Sequence, residues 1–121
     1  MIKIGPMIDG VQVAEIIGNL TENETSEFIC MINQVFQRNK RPFLVLDVKK
    51  LKEIDDKGVR AICIAICRAD DNCGKIVLAR SEDHPVRRIL ELRRLNINFE
   101  IYNTVLEAVK VLQKQVPPIS A

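Results

Sequence analysis

The side chains of this sequence that could do covalent or metal chemistry are few and scattered. Its thiols are Cys30, Cys63, Cys67 and Cys73, and its one imidazole is His84. Cys63 and Cys67 stand four apart and would share a helix face, but a zinc site needs about four ligands and His84 lies far along the chain. The thiols read as reduced and mostly buried core residues, with no metal and no cofactor implied. A Ser–His–Asp arrangement would have to use Ser26, Ser81 or Ser120, and none sits in a nucleophile-elbow pattern. A nucleophilic Cys63 on an apolar helix would be desolvated and inert. The 5 glycines stand singly, so no phosphate-cradling loop is present. This inventory points away from an enzyme.

Charged clusters carry more. Lys49-Lys50-x-Lys52 and Arg87-Arg88…Arg93-Arg94 read either as solvated surface or as a docking face for an acidic partner. Glu53, Asp55 and Glu91 interrupt them, which argues against nucleic acid. The segment Ile54-Asp55-Asp56-Lys57-Gly58-Val59-Arg60 comes just before a long apolar stretch and so falls at a helix N-terminus. Free amides and the positive dipole end gather there, a natural place for carboxylates or a phosphate. Asp55 or Asp56 as N-cap explains the acids. Lys57 does not fit that role, because a cation in the first turn is mildly unfavourable. It is expected to point outward, to solvent or to a partner.

The elements that position this segment follow from periodicity and punctuation. Asp9-Gly10 between apolar runs predicts a hairpin turn joining a short first strand to Val11–Ile17. Thr21-Glu22-Asn23-Glu24 is a capping box, with the Thr21 hydroxyl accepting a helical N–H while Glu24 reaches back. The helix behind it carries Phe28, Ile29, Ile32, Val35 and Phe36 on one stripe and stops before Pro42. Phe43–Leu46 and Lys75–Ala79 are uninterrupted apolar runs, as in strands buried on both faces. The apolar stretch from Gly58 to Cys73 between them is ambiguous by period; its length and the need for a crossover make it a buried helix. Ser81-Glu82-Asp83-His84-Pro85 predicts another helix start. Ile97, Phe99 and Ile101 alternate as an edge strand, and Thr104–Glu107 caps a last helix. The tail from Val116 onward reads as loose. The order β-β-α-β-α-β-α-β-α is α/β with a mostly parallel sheet of about five strands and four helices.

Composition bounds the rest. The chain has 121 residues, 47% hydrophobic and 28% charged, with a formal charge of +2. That suits one domain over residues 1–121, with a core of about 8–113, and it excludes a disordered chain. The near-neutral balance, and aromatics limited to 4 Phe and 1 Tyr, exclude a dedicated nucleic-acid binder. No apolar run approaches the ~18 residues of a spanning helix, and the start lacks the pattern of a secretory signal. A cytoplasmic protein without direct membrane insertion is expected; nothing in the sequence sets its oligomeric state.

Several segments taken in series resemble the STAS family, the sulphate-transporter and anti-sigma-factor-antagonist domains. They are Gly18-Asn19-Leu20, Phe43-Leu44-Val45-Leu46-Asp47-Val48 and Ile54-Asp55-Asp56-Lys57-Gly58-Val59. Pro85-Val86-Arg87-Arg88-Ile89-Leu90-Glu91-Leu92 and Phe99-Glu100-Ile101-Tyr102-Asn103-Thr104-Val105-Leu106-Glu107-Ala108 resemble the later elements. The resemblance implies a βα superhelix and a non-enzymatic binding module of bacterial signal transduction and transcription regulation. Free-standing members switch partners: the unphosphorylated antagonist binds an anti-sigma factor that is also a serine kinase, and phosphorylation of a serine ends that binding. It also implies a docking surface made of Thr21, Asp55, Asp56, Lys57, Gly58, Val59 and Arg60. Where the family has Asp-Ser-Ser-Gly, this chain has Asp55-Asp56-Lys57-Gly58, so Lys57 stands at the phosphoacceptor position. Thr21 replaces an acidic residue of the family. The resemblance thus implies docking without a switch at position 57. The runner-up is a constitutive STAS scaffold or accessory subunit of a transporter or signalling complex. A receiver-like phosphoacceptor using Asp55 and Asp56 is a third reading.

Overall fold

The Asp9-Gly10 turn folds as the sequence predicts. The structure, a computed structural model, describes residues 1–80 and 100–116. Strand β1 (Ile2–Ile8) and strand β2 (Val11–Ile16) flank the turn as an antiparallel pair. Asp9 and Gly10 both take positive φ, 48° and 85°. That left-handed pair matches the twist of the flanking strands. A Cβ at Gly10 would stand 3.0 Å from a Val116 methyl. Val116 is therefore packed against the body, a correction to the loose tail expected from that residue; residues 117–121 lie outside the described residues.

Three further strands, β4 (Phe43–Asp47), β6 (Lys75–Ala79) and β7 (Ile101–Tyr102), complete a five-stranded sheet in the order β1-β2-β4-β6-β7. All neighbours except β1 and β2 run parallel. Helix α1 (Thr25–Arg38) and helix α2 (Asp56–Asp71) cover one face, and helix α3 (Val105–Gln113) packs on the other. This explains the unbroken apolar strands. Leu44, Leu46, Ile76 and Leu78 enter the core beneath α1 and α2, while Phe43, Val45, Val77 and Ala79 meet Ala108, Val109 and Leu112 of α3. The fold is mixed α/β with a mostly parallel five-stranded sheet. Three α-helices lie among the described residues. The helix expected from Ser81, and Ile97 and Phe99 of the expected edge strand, lie outside them.

Four expectations need correction. Strand β3 (Gly18–Leu20) and strand β5 (Leu51–Ile54) form a separate parallel two-stranded ladder that the sequence reading lacked. Residues Glu22–Glu24 form a 3₁₀ turn, so the α-helix starts at Thr25 rather than directly behind Thr21. The buried stripe of α1 is Phe28, Met31, Ile32 and Val35, and Ile29 faces out. Of the four thiols only Cys63 is buried; Cys30, Cys67 and Cys73 are exposed.

Candidate functional site

The start of α2 is held by one carboxylate that serves two elements. Asp55 is the N-cap: Oδ1 accepts the Gly58 N–H at 2.9 Å, and Oδ2 accepts the Glu22 N–H at 2.9 Å. The Asp55 N–H donates to the Leu20 carbonyl at 3.4 Å. A single side chain thus fixes the 3₁₀ turn against the helix. The Gly58 amide, and then that of Glu22, favour the charged form, so the Asp55 carboxyl titrates below its ordinary value. Gly58 itself is dictated by space, since a Cβ there would lie 2.0 Å from the Leu20 carbonyl oxygen and 2.8 Å from Ile54 Cγ1. Only glycine lets β3 cross the first turn of α2 this closely.

The 3₁₀ turn has its own lock. Glu24 accepts the Thr21 N–H at 3.1 Å and also the Thr21 hydroxyl proton. The hydroxyl therefore gives its proton to the box, and the Thr21 bond holds the Glu24 carboxyl below its usual range. Thr25 Oγ1 donates to the Glu22 carbonyl at 2.9 Å. Across the gap, the Lys57 ammonium pairs with the Glu22 carboxylate, both side chains well over half exposed. Lys57 points outward as expected, and it finds a carboxylate that the sequence reading left out.

The predicted site residues divide in two. Asp56, Lys57 and Arg60 are exposed, with Thr21 and Asp55 half-buried beside them. Gly58 and Val59 are buried; Val59 is core, so these two hold the segment in place and offer no side chain to a partner. The turn around Thr21 and the 55–60 segment do come together, through Glu22. Further along α2, Ile64 is 58% exposed. The near-continuous apolar run around it concealed that, because exposure there depends on helical phase and not on composition.

A second polar centre lies where β4 and β6 end. The side chain of Asp47 is buried, and Arg80 grips it with a two-pronged fork, Nε to Oδ1 at 2.9 Å and a terminal nitrogen to Oδ2. The Lys49 N–H adds a third bond to Oδ1 at 3.1 Å. Arg80 takes a left-handed φ of 63° to reach it, and the bond to Asp47 raises its pKa further. The sequence reading ended one apolar strand at Asp47 but did not pair it with Arg80, which follows the other strand thirty-three residues away. Cys63 is buried, and desolvation pushes its thiol pKa up, which suits an inert side chain. Among the described residues no group of three or more His, Cys, Asp or Glu could hold a metal ion. His84 lies outside them. No helix among the described residues is long and apolar enough to cross a membrane.

The STAS domain family model matches residues 6–108. This chain belongs to the STAS family. Solved structures carry the same fold. TM1081 of Thermotoga maritima superposes with a TM-score of 0.78 at 19% identity, over 89% of this chain and 92% of its own. The anti-sigma factor antagonist SpoIIAA, in its unphosphorylated form, gives 0.69 at 13% identity, over 96% and 100%. The murine anion transporter Slc26a9 gives 0.67 at 16% identity, over 88% of this chain but only 18% of the transporter. Among curated proteins, none matches the sequence.

Proposed function

We propose that this STAS chain is a non-enzymatic regulatory module, similar to the anti-sigma factor antagonists. It docks a protein partner, an anti-sigma factor of serine-kinase type, through residues 55–60 and the helix that follows. The observation that carries the reading is Lys57. It stands exposed at the family's phosphoacceptor position, on a helix start that Asp55, Gly58 and the Thr21–Glu24 turn hold rigid. A serine there gains a charge near −2 when phosphorylated, which disrupts an interface shaped for a neutral hydroxyl. An ammonium offers no ester oxygen and already pairs with Glu22. Docking through this surface is therefore independent of phosphorylation at position 57. The same observation favours a second reading, a constitutive STAS subunit of a larger signalling or transport assembly.

Affinity purification from the source cells, with wild type and Lys57→Glu in parallel, tests both readings. Capture of a kinase-type anti-sigma factor by wild type and its loss in the variant supports the antagonist. Capture of an assembly at fixed stoichiometry supports the constitutive subunit. Equal partner affinity of the two proteins in a titration removes residues 55–60 from the interface.

A further inference from the structure

The exposed face of α2 continues past the docking segment into a cleft. It is shallow and open, lined by Cys63, Ile64 and Cys67 with Arg60 at one end and Arg68 and Asp71 toward the other, about 500 Å³ in volume. Ile64 stands at the centre, 58% exposed, while its neighbours Ile62, Cys63, Ala65 and Ile66 are buried. Arg60 and Arg68 lie four residues to either side of it, on the same helix face. The two arginines differ in freedom. Arg68 is fixed: its guanidinium donates to Asn33 Oδ1 at 2.6 Å and lies 4.2 Å over the Phe36 ring. Arg60 pairs with no acid among the described residues. The arrangement is an apolar centre with a charged rim, the anatomy of an interface anchor pocket.

We infer that this cleft seats an apolar side chain of the protein partner, with a carboxylate of the same partner segment set against Arg60. The inference rests on the docking reading and gives that partner its chemistry. Apolar walls call for an apolar side chain, and Arg60 with Arg68 outweighs Asp71, so the rim favours an acid. The docking surface then extends from position 57 to Ile64, two turns into α2. An acidic residue at Arg60 gains a charge-assisted, fork-shaped contact that a lysine or an amide does not supply equally.

Cys67 supplies a direct test on the purified chain, without the partner. Disulfide-linked phenylpropionate and its amide isostere are equilibrated with the protein under reductant, and retention at each thiol is read by peptide mass spectrometry. The exposed Cys30 and Cys73 serve as internal references. Expected is about tenfold greater retention of the acid than of the amide on Cys67, on the order of one charge-assisted hydrogen bond. Cys30 and Cys73 should treat both alike. Arg60→Gln abolishes the difference without lowering retention of the amide, and Ile64→Ala lowers retention of both. Equal retention of acid and amide on Cys67, or retention no higher than on Cys73, overturns the inference while leaving the Lys57→Glu result to decide the docking reading.

Discussion

Replacing Gly58 with alanine sets two opposed effects against each other, and their sizes differ enough to predict the outcome. Alanine is the better helix former by about 0.8–1 kcal/mol. The added methyl, however, would sit 2.0 Å from the Leu20 carbonyl oxygen, where real contacts stay beyond 3.0 Å. Strand β3 must therefore retreat by roughly 1 Å. The obstacle is backbone, not the tip of a flexible side chain, so the cost lies near the top of the ~1–3 kcal/mol of overpacking. Retreat also stretches the Asp55 N–H to Leu20 bond, already 3.4 Å long, and shifts the Leu20–Ile54 register of the small ladder. A cost of about 3 kcal/mol less a helix gain of about 1 leaves a net destabilisation of about 2 kcal/mol. At about 4 °C per kcal/mol for a chain of this size, Tm falls by roughly 8 °C. Thermal unfolding followed by circular dichroism reads this, with Lys57→Ala as the control one residue away. That exposed ion pair contributes at most ~1 kcal/mol, so the control stays within a few degrees. An unchanged or raised Tm for Gly58→Ala would refute the close crossing of β3 over α2.

Three further outcomes follow from the same geometry. Arg80→Ala leaves the buried Asp47 carboxylate without its counter-charge and should cost about 3 kcal/mol in urea unfolding, the low end for such pairs because Arg80 is partly exposed. Adding Asp47→Asn should recover part of the loss, and a null effect of Arg80→Ala would remove the pair from the fold's supports. Glu24 and Asp55 have lowered native pKa values, so their contribution is complete above about pH 5, past both ordinary carboxylate values, and disappears as pH falls through the lowered ones. Amide shifts of Gly58 and Glu22 in a two-dimensional NMR titration should report the Asp55 transition, and Asp55→Asn should erase it; a midpoint at or above the ordinary value contradicts the capping geometry. Tyr102, the single tyrosine, is pushed up to about 12 by burial and then by its bond to Glu100. Its contribution holds below about pH 10 and is lost as pH rises towards that native value. Ultraviolet titration should show the late transition, moved only partly back by Glu100→Gln.

The long apolar strands, the hairpin turn and the capped helices were legible because each depends on its own residues. Phe43–Leu46 reads as doubly buried wherever it lies, and Asp9-Gly10 needs only its two φ values. What escaped depends on partners far along the chain. The β3–β5 ladder joins runs of three and four residues, too short for any period to register. Ile29 is apolar and adjoins Phe28, so it reads as part of the stripe, but one residue of phase turns a side chain by about 100° and the buried face runs through Phe28, Met31, Ile32 and Val35. The Asp55 cap and the outward Lys57 were readable at the site itself. Glu22 and Arg80 were not, since each meets its partner across more than thirty residues.

The carboxylate of Asp55 has a consequence beyond local capping. It joins an amide three residues ahead to one thirty-three residues behind, and Lys57 repeats the span to Glu22. The surface is a discontinuous epitope, present only once the sheet has brought both segments together. A synthetic peptide spanning 50–72 would carry the letters of the site without its shape. Any binder that grips both segments therefore recognises the folded chain and ignores the nascent or unfolded one, a built-in check on the integrity of the fold.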